Sequence, residues 1–264
     1  MQSLGQPSQT SNPNAVLPDF VIIGAQKAGT STMYAVLCNQ PFMKSATEKE
    51  LQYFSKRYNL GLDWYKQQFP ANEDKTRSWI TGEATPYYLF HPLAPKRLKE
   101  TIPNAKLIVM LRNPIDRAMS HYYHERRLEC EPFSFEDAVA AEPERLRGEV
   151  EKILAEPFYL SDEHQQHSYL ERGKYADQLL RWFELFPREQ FHICTAGDLK
   201  KNPEETYAAI SKFLGVGKID YSKIDDVNVL KYEPMHADTR QRLTEYFKPH
   251  NEKLYELLGR NLGW

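Results

Sequence analysis

Four short, mostly apolar runs recur along the chain, at residues 20–23, 79–83, 106–111 and 191–195, with helix-compatible stretches between them. Unbroken apolar runs of this length are typical of strands buried on both faces, as in parallel sheets. Their alternation with helices predicts an α/β fold, a parallel sheet flanked by helices on both faces. Because such sheets bind ligands at the carboxyl ends of their strands, the residues that follow each run are the first candidates for function.

The first run leads into a loop of small residues that contains one lysine and three consecutive hydroxyl residues. A helix-like segment follows at 32–37, so the loop N–H groups and the positive helix end should point at one bound anion. The loop therefore predicts a site for phosphate or sulfate. The residues expected to hold this anion are consecutive: Lys27, Ala28, Gly29, Thr30, Ser31 and Thr32.

The position of the lysine in this loop distinguishes between phosphate-binding families. In nucleotide-hydrolysing P-loops the lysine directly follows the second glycine. Here Gly24 and Gly29 keep the glycine spacing, but Thr30 occupies the lysine position and Lys27 lies inside the loop. This arrangement counts against a P-loop kinase, as does the lack of an evident acidic motif for Mg²⁺.

A second phosphate motif follows the third apolar run. The run ends in Arg112, and Pro114 can open a helix in its first turn. That helix would carry Ser120 about two turns along, on a face close to Arg112. We expect Arg112 and Ser120 to clamp a second phosphate.

The two motifs resemble those of sulfotransferases that use 3′-phosphoadenosine 5′-phosphosulfate (PAPS). In that family a lysine two residues before the loop glycine reaches the oxygen between phosphate and sulfate, and an arginine and a serine eight residues later bind the 3′-phosphate. Lys27, Arg112 and Ser120 match these positions. The resemblance covers residues 18–264 and is greatest to heparan-sulfate-type enzymes and bacterial relatives, including tailoring domains of polyketide synthases. Softer matches follow in the family's order, at residues 49–54, 61–65, 82–88, 172–179, 198–199 and 202–204.

The resemblance implies a sulfotransferase fold and direct in-line transfer of a sulfuryl group from PAPS to an acceptor hydroxyl, with the nucleotide PAP as product and no metal. Such a transfer needs a cation at the leaving oxygen and a base for the acceptor proton. Lys27 is the candidate for the first role. Glu50 is the candidate base, because residues 47–54 resemble the block that carries the catalytic glutamate in heparan-type enzymes, and Glu48 is its competitor. His124 lies one helical turn after Ser120 and could orient or deprotonate the acceptor.

Two departures from the heparan-type pattern bear on the acceptor, and a third weakens a direct equivalence to the animal enzymes. Ala84 stands where several of those enzymes have a lysine, and their C-terminal Lys-Gly-Arg loop is missing. Lys231 could serve the 3′-phosphate instead. The animal enzymes have a disulfide in their C-terminal part, and Cys194 is the one cysteine of this sequence in that region. We therefore expect a small or carrier-tethered hydroxyl, such as a β-hydroxyacyl group on an acyl carrier protein, rather than a polyanionic glycan.

The chain divides into a predicted flexible leader or linker remnant at 1–17 and one sulfotransferase domain at 18–264. The segment 133–168 carries a charged run followed by Phe158 and Tyr159. It is interpreted either as a solvated helix and loop, as charge runs usually are, or as a flap in which Phe158 and Tyr159 cover the acceptor.

Composition limits the remaining possibilities. With 264 residues, 41% hydrophobic and 27% charged, the chain can bury a full core, and its net charge of −2 carries no nucleic-acid signature. No stretch predicts a membrane span. Three widely spaced cysteines suggest neither zinc nor disulfides, and with them a reducing, cytoplasmic location is predicted. The rival to an enzyme is a nucleotide-binding or carrier-docking module without turnover, and the presence of Lys27, Arg112, Ser120 and a candidate base argues against it.

Overall fold

The computed structural model describes residues 14–72, 77–222 and 233–264. Four parallel strands form one sheet in the order β2-β1-β3-β4. Their bounds are β1 (Phe20–Gly24), β2 (Gly82–Ala84), β3 (Lys106–Leu111) and β4 (Phe191–Thr195). The predicted parallel α/β fold is confirmed. The second strand is shorter than its apolar run, because only Gly82–Ala84 pair with β1 while Ile80 forms an isolated bridge with Met43.

Eleven helices accompany the sheet in the described part of the chain. They are α1 (Thr30–Cys38), α2 (Gly61–Gln67), α3 (Ala94–Thr101), α4 (Pro114–Arg127), α5 (Phe135–Arg145), α6 (Glu149–Ala155), α7 (Asp162–Gln166), α8 (Tyr175–Phe183), α9 (Ala196–Lys201), α10 (Pro203–Leu214) and α11 (Ala237–Leu258). None of these described helices has the length and apolarity that crossing a bilayer requires.

The central strands are buried along their length, which explains their continuous apolar sequence. All five residues of β1 and residues 107–111 of β3 are buried. The register between β1 and β3 shifts after Ile22, and Gly24 ends the strand. A Cβ at Gly24 would lie 2.5 Å from the Cβ of Leu89, so only glycine fits at this exit from the sheet.

The two helices predicted after the phosphate motifs are both present. Helix α1 begins at Thr30, two residues before its predicted start, so the hydroxyl residues form its first turn. Helix α4 begins at Pro114, and Asn113 caps it by accepting from the N–H of Ile115 at 3.0 Å. Each of the two strands is therefore followed, after a short loop, by a helix N-terminus, as an anion site requires.

The segment 133–168 forms α5, α6 and α7, and its charged run is not a solvated face throughout. Glu142 is 2% exposed and accepts hydrogen bonds from the backbone N–H groups of Leu170 and Glu171 at 2.7 and 2.8 Å. Glu149 is also buried and accepts from the hydroxyl of Tyr159 at 2.8 Å. These carboxylates are buried because each satisfies donors that would otherwise lack partners. The solvated-helix interpretation is therefore wrong for these two residues.

Two further predictions concern the leader at 1–17, which the structure describes only from residue 14, and Lys231. Within the predicted leader, Val16 and Leu17 pack against the core, and Ala15 forms a bridge with Ala71. The predicted phosphate contact Lys231 lies outside the described residues.

Candidate active site

The loop between β1 and α1 turns through two left-handed residues. Lys27 has φ +67° and Gly29 has φ +95°. This conformation is ordinary for glycine but costs a lysine free energy, so the surrounding structure must hold it. Arg112 does so, since its Nη1 donates to the carbonyl oxygen of Lys27 at 3.0 Å. The two phosphate motifs, 85 residues apart in sequence, are thus in direct contact.

Arg112 is fixed at both its main chain and its side chain. Its carbonyl oxygen accepts from the hydroxyl of Tyr175 at 2.8 Å, and its guanidinium holds the loop. Ser120 is 1% exposed on α4, the helix that starts two residues after Arg112. The structure therefore places Lys27 and Arg112 in contact just beyond the carboxyl ends of β1 and β3, with Ser120 buried further along α4.

Positive charge accumulates at the loop beyond what the motifs predicted. Burial lowers the pKa of Lys27 first, and repulsion from Arg127, Arg112 and Arg117 lowers it further, while Glu125 opposes them. Arg117, Arg127 and Glu125 were not predicted as site residues. A helical-spacing signal was available for Arg127, because residues 120, 124 and 127 share one face of α4.

Arg117 and Glu125 are both buried, although each has an ionisable side chain. Arg117 is fully buried; one nitrogen donates to the carbonyl oxygen of Tyr169, while Nε and Nη1 have no hydrogen-bond partner among the residues that the structure describes. Glu125 is 3% exposed, with its carboxylate 3.2 Å from Nε2 of His121. Burial raises the pKa of Glu125 to about 7. The site thus has one fully buried cation, Arg117, and one weakly acidic carboxyl group, Glu125.

His124 lies next to the loop and is neutral at neutral pH. Burial lowers its pKa to about 4, with further contributions from Lys27 and Arg127. Its Nδ1 is 3.2 Å from Nη2 of Arg127. Because a guanidinium only donates, Nδ1 must accept, and the ring proton is on Nε2. In this state Nε2 of His124 can donate a hydrogen bond, but it has no free lone pair with which to act as a base.

We expect His124 to titrate near pH 4 in the ligand-free protein and at higher pH when PAP is bound. The bound anion would offset the repulsion that Lys27 and Arg127 exert on the protonated ring. Histidine NMR titration with and without PAP, assigned with His124→Asn, measures both midpoints. A ligand-free midpoint near the ordinary value of about 6.5 would contradict the inferred surroundings of the ring.

The two candidate glutamates have different partners. Glu50 accepts from Nε2 of Gln52 at 2.9 Å and pairs with Lys49 at 3.1 Å, and its side chain is 35% exposed. Glu48 is more exposed and forms an ion pair with Arg57. Each of the two carboxylates thus pairs with one cation, and Glu50 additionally accepts from an amide donor.

The segment of Glu50 is attached to the carboxyl end of β2 through a buried carboxyl group. Gln52 N donates to Oγ1 of Thr85 at 3.3 Å, and that hydroxyl donates to Glu83 at 2.8 Å. Glu83 also accepts from the hydroxyl of Tyr65 at 2.6 Å. Burial raises the pKa of Glu83 to about 7 although these donors favour its ionised form. Glu83 was not assigned a role from sequence; the structure makes it the support under the Glu50 segment.

The cysteines are free thiols, Cys38 and Cys130 partly buried and Cys194 buried. Within the described ranges, no group of three or more histidine, cysteine, aspartate or glutamate side chains is arranged to hold a metal ion.

These features are typical of one class, α/β proteins that bind an anionic ligand at the carboxyl edge of a parallel sheet. Within that class the chain belongs to the sulfotransferase domain family, whose family profile matches residues 17–255.

Relatives of known structure or name support the assignment. The crystal structure of a sulfotransferase from Alicyclobacillus acidocaldarius is similar with a TM-score of 0.74 and 30% identity, over 94% of this chain and 98% of that one. The membrane-associated sulfotransferase kil1 of Dictyostelium discoideum is 29% identical over 94% of this chain. The human bifunctional heparan sulfate N-deacetylase/N-sulfotransferase 3 is 31% identical over 92%. The chain spans 66% of the length of the Dictyostelium protein and 30% of the human one.

Proposed function

We propose that this chain transfers a sulfuryl group from PAPS directly to an acceptor hydroxyl. The observation that carries the proposal is the convergence of Lys27, Arg112, Arg117 and Arg127 on one loop, with Glu125 as the opposing carboxyl group. Like charges held close together destabilise a protein until an anion neutralises them. A donor with several phosphate and sulfate charges fits that arrangement.

The residues present fit the two ends of such a donor. The N–H groups at the start of α1, with Lys27, would hold the 5′-phosphosulfate, since a helix N-terminus and a cation favour an anion. Arg112 and Ser120 would hold the 3′-phosphate. Arg112 touches the loop itself, so both phosphate sites would form as one unit.

PAPS supplies an activated sulfuryl group when bound. Lys27 would place its ammonium group at the leaving oxygen, and its lowered pKa means that it gives up a proton more readily than an ordinary lysine. Glu50 would accept the proton of the acceptor hydroxyl. His124 would orient the acceptor through its Nε2–H, because Nδ1 is occupied by Arg127.

The acceptor is proposed as a hydroxyl group, including one tethered to a carrier protein, with a glycan or small-molecule hydroxyl as alternatives. An amine is a second candidate, favoured by similarity to a heparan sulfate N-sulfotransferase across 92% of this chain. A panel of hydroxyl and amine acceptors with radiolabelled donor separates them. A cytoplasmic location also remains a proposal, supported by the three free thiols.

We expect PAP to bind about 10²-fold or more tightly than ADP. The 3′-phosphate would gain charge-assisted hydrogen bonds from Arg112 and Ser120, each about 1.5–3 kcal/mol where a charge is involved. Arg112→Ala should reduce this preference by tenfold or more. Calorimetric titration of both nucleotides measures it.

The matched control for this experiment is Arg147→Ala, which removes an exposed arginine paired with Glu144 and should leave both affinities unchanged. Circular dichroism checks that each variant is folded. Equal affinity of the wild-type protein for PAP and ADP would refute the 3′-phosphate clamp.

A further inference from the structure

Arg172 is a buried cation whose hydrogen bonds go to neutral groups. Its side chain is 1% exposed, and burial lowers its pKa to about 10, so it remains charged at neutral pH. It also stacks over the rings of Tyr87 and Phe90, with its guanidinium carbon 5.0 and 5.1 Å from their centroids. Burying a charge costs free energy unless its donors are well satisfied, so these partners indicate what the residue stabilises.

One side of the Arg172 guanidinium holds the end of α7. Its Nη2 donates to the carbonyl oxygens of His164 and Gln165 at 3.1 and 2.6 Å, and its Nε donates to the hydroxyl of Ser168 at 3.0 Å. Helix α7 has only five residues, too few to be stable alone. A cation on its last carbonyl groups also complements the helix dipole.

The other side of the guanidinium reaches the phosphate loop. Nη1 of Arg172 donates to Oε1 of Gln26, which directly precedes Lys27. The residues joined in this way are 146 positions apart. A single side chain therefore connects the loop proposed to hold the donor with the last helix of the segment 133–168.

We infer that Arg172 and Gln26 are positioning residues that tie the phosphate loop to the α7 segment, defined as residues 161–168. The inference rests on the proposed function, because it takes the loop as the donor site. When an anion fixes the loop, Gln26 is held in place and the α7 segment should become more ordered. Coupling of this kind is reciprocal, so loosening the α7 segment should also weaken donor binding. In this view, donor binding stabilises the α7 segment as a fixed part of the site, and the segment does not move as a freely hinged flap.

The test uses Gln26→Met, which keeps the side-chain length and removes the oxygen that Arg172 contacts. Gln26 is partly exposed, so the variant should fold. Gln165→Met is the matched control, because within the described part of the chain the Oε1 of Gln165 has no hydrogen-bond partner, and its contact with Arg172 is through the backbone carbonyl. Calorimetry measures PAP affinity, and hydrogen exchange with and without PAP measures order in each segment.

In the wild-type protein and in Gln165→Met, we expect PAP to slow exchange at residues 161–168 as well as in the loop. In Gln26→Met, PAP should bind about tenfold more weakly and slow exchange in the loop alone. A merely structural role would change thermal stability without removing the ligand-dependent protection.

The outcomes separate the inference from the proposed function. If the wild-type protein binds PAP but the α7 segment is not protected, or if Gln26→Met keeps that protection, the coupling is refuted and the donor site remains. If the wild-type protein does not bind PAP, both are refuted.

Discussion

Lys27→Met should lower kcat by about 10³-fold, equivalent to roughly 4 kcal/mol of transition-state stabilisation, while PAP still binds. The ammonium group would act on charge that develops at the leaving oxygen, so its loss should affect the chemical step more than ground-state binding. Single-turnover rates at saturating PAPS, with an acceptor identified by the panel, measure the effect. The control Lys200→Met removes an exposed lysine at the end of α9 and should behave as wild type.

The pH dependence of the wild-type rate provides a further check on Lys27. Burial and three neighbouring arginines lower its pKa, so its proton is lost below the ordinary lysine value of about 10.4. The value of kcat/KM for the donor, which reports the free enzyme, should therefore fall on the alkaline side at a lower pH than for an exposed lysine. A near-wild-type rate in Lys27→Met would remove this residue from the mechanism.

Glu50→Gln should lower kcat by about 10²–10⁴-fold with little change in donor affinity. The amide keeps the size of the side chain and can still accept a hydrogen bond from Gln52, but it cannot take the acceptor proton. Single-turnover measurements at saturating PAPS again isolate the chemical step.

Two matched variants distinguish Glu50 from its competitors. Glu48→Gln removes a carboxylate two residues away that already pairs with Arg57, and it should change the rate little. His124→Asn should reduce the rate less than Glu50→Gln does, because we assign His124 to orientation. A large loss in His124→Asn together with a wild-type rate in Glu50→Gln would make His124 the base.

Local sequence patterns predicted the main strands of the sheet and the segments that follow them. The apolar runs that became β1 and β3 were recognisable because a strand buried on both faces needs continuous apolar side chains. The loop after β1 and the helix that begins at Pro114 are each determined by residues that are close together in the sequence. Since both features are local, their sequence sufficed to predict an anion site at the carboxyl edge of the sheet.

The sequence was less informative where a residue's role depends on distant partners. The charged run at 133–168 looked solvated, but Glu142 is buried because it caps the N–H groups of Leu170 and Glu171. The contact between Arg172 and Gln26 spans 146 positions. No periodicity along the chain reveals such pairs, because only the packing of the elements brings their atoms together.

The sequence by itself determined the fold class, the lysine-containing loop after β1, and the positions of Arg112 after a strand and Ser120 on the helix that follows it. Only the tertiary structure decided which charges surround Lys27 and how far its pKa is lowered. Arg117, Arg127 and Glu125 reach it because α4 leaves β3 beside the loop that follows β1, in a sheet where these strands are neighbours. Electrostatic interaction depends on distance and burial in space rather than on separation along the chain, so these properties appear only once the chain is folded.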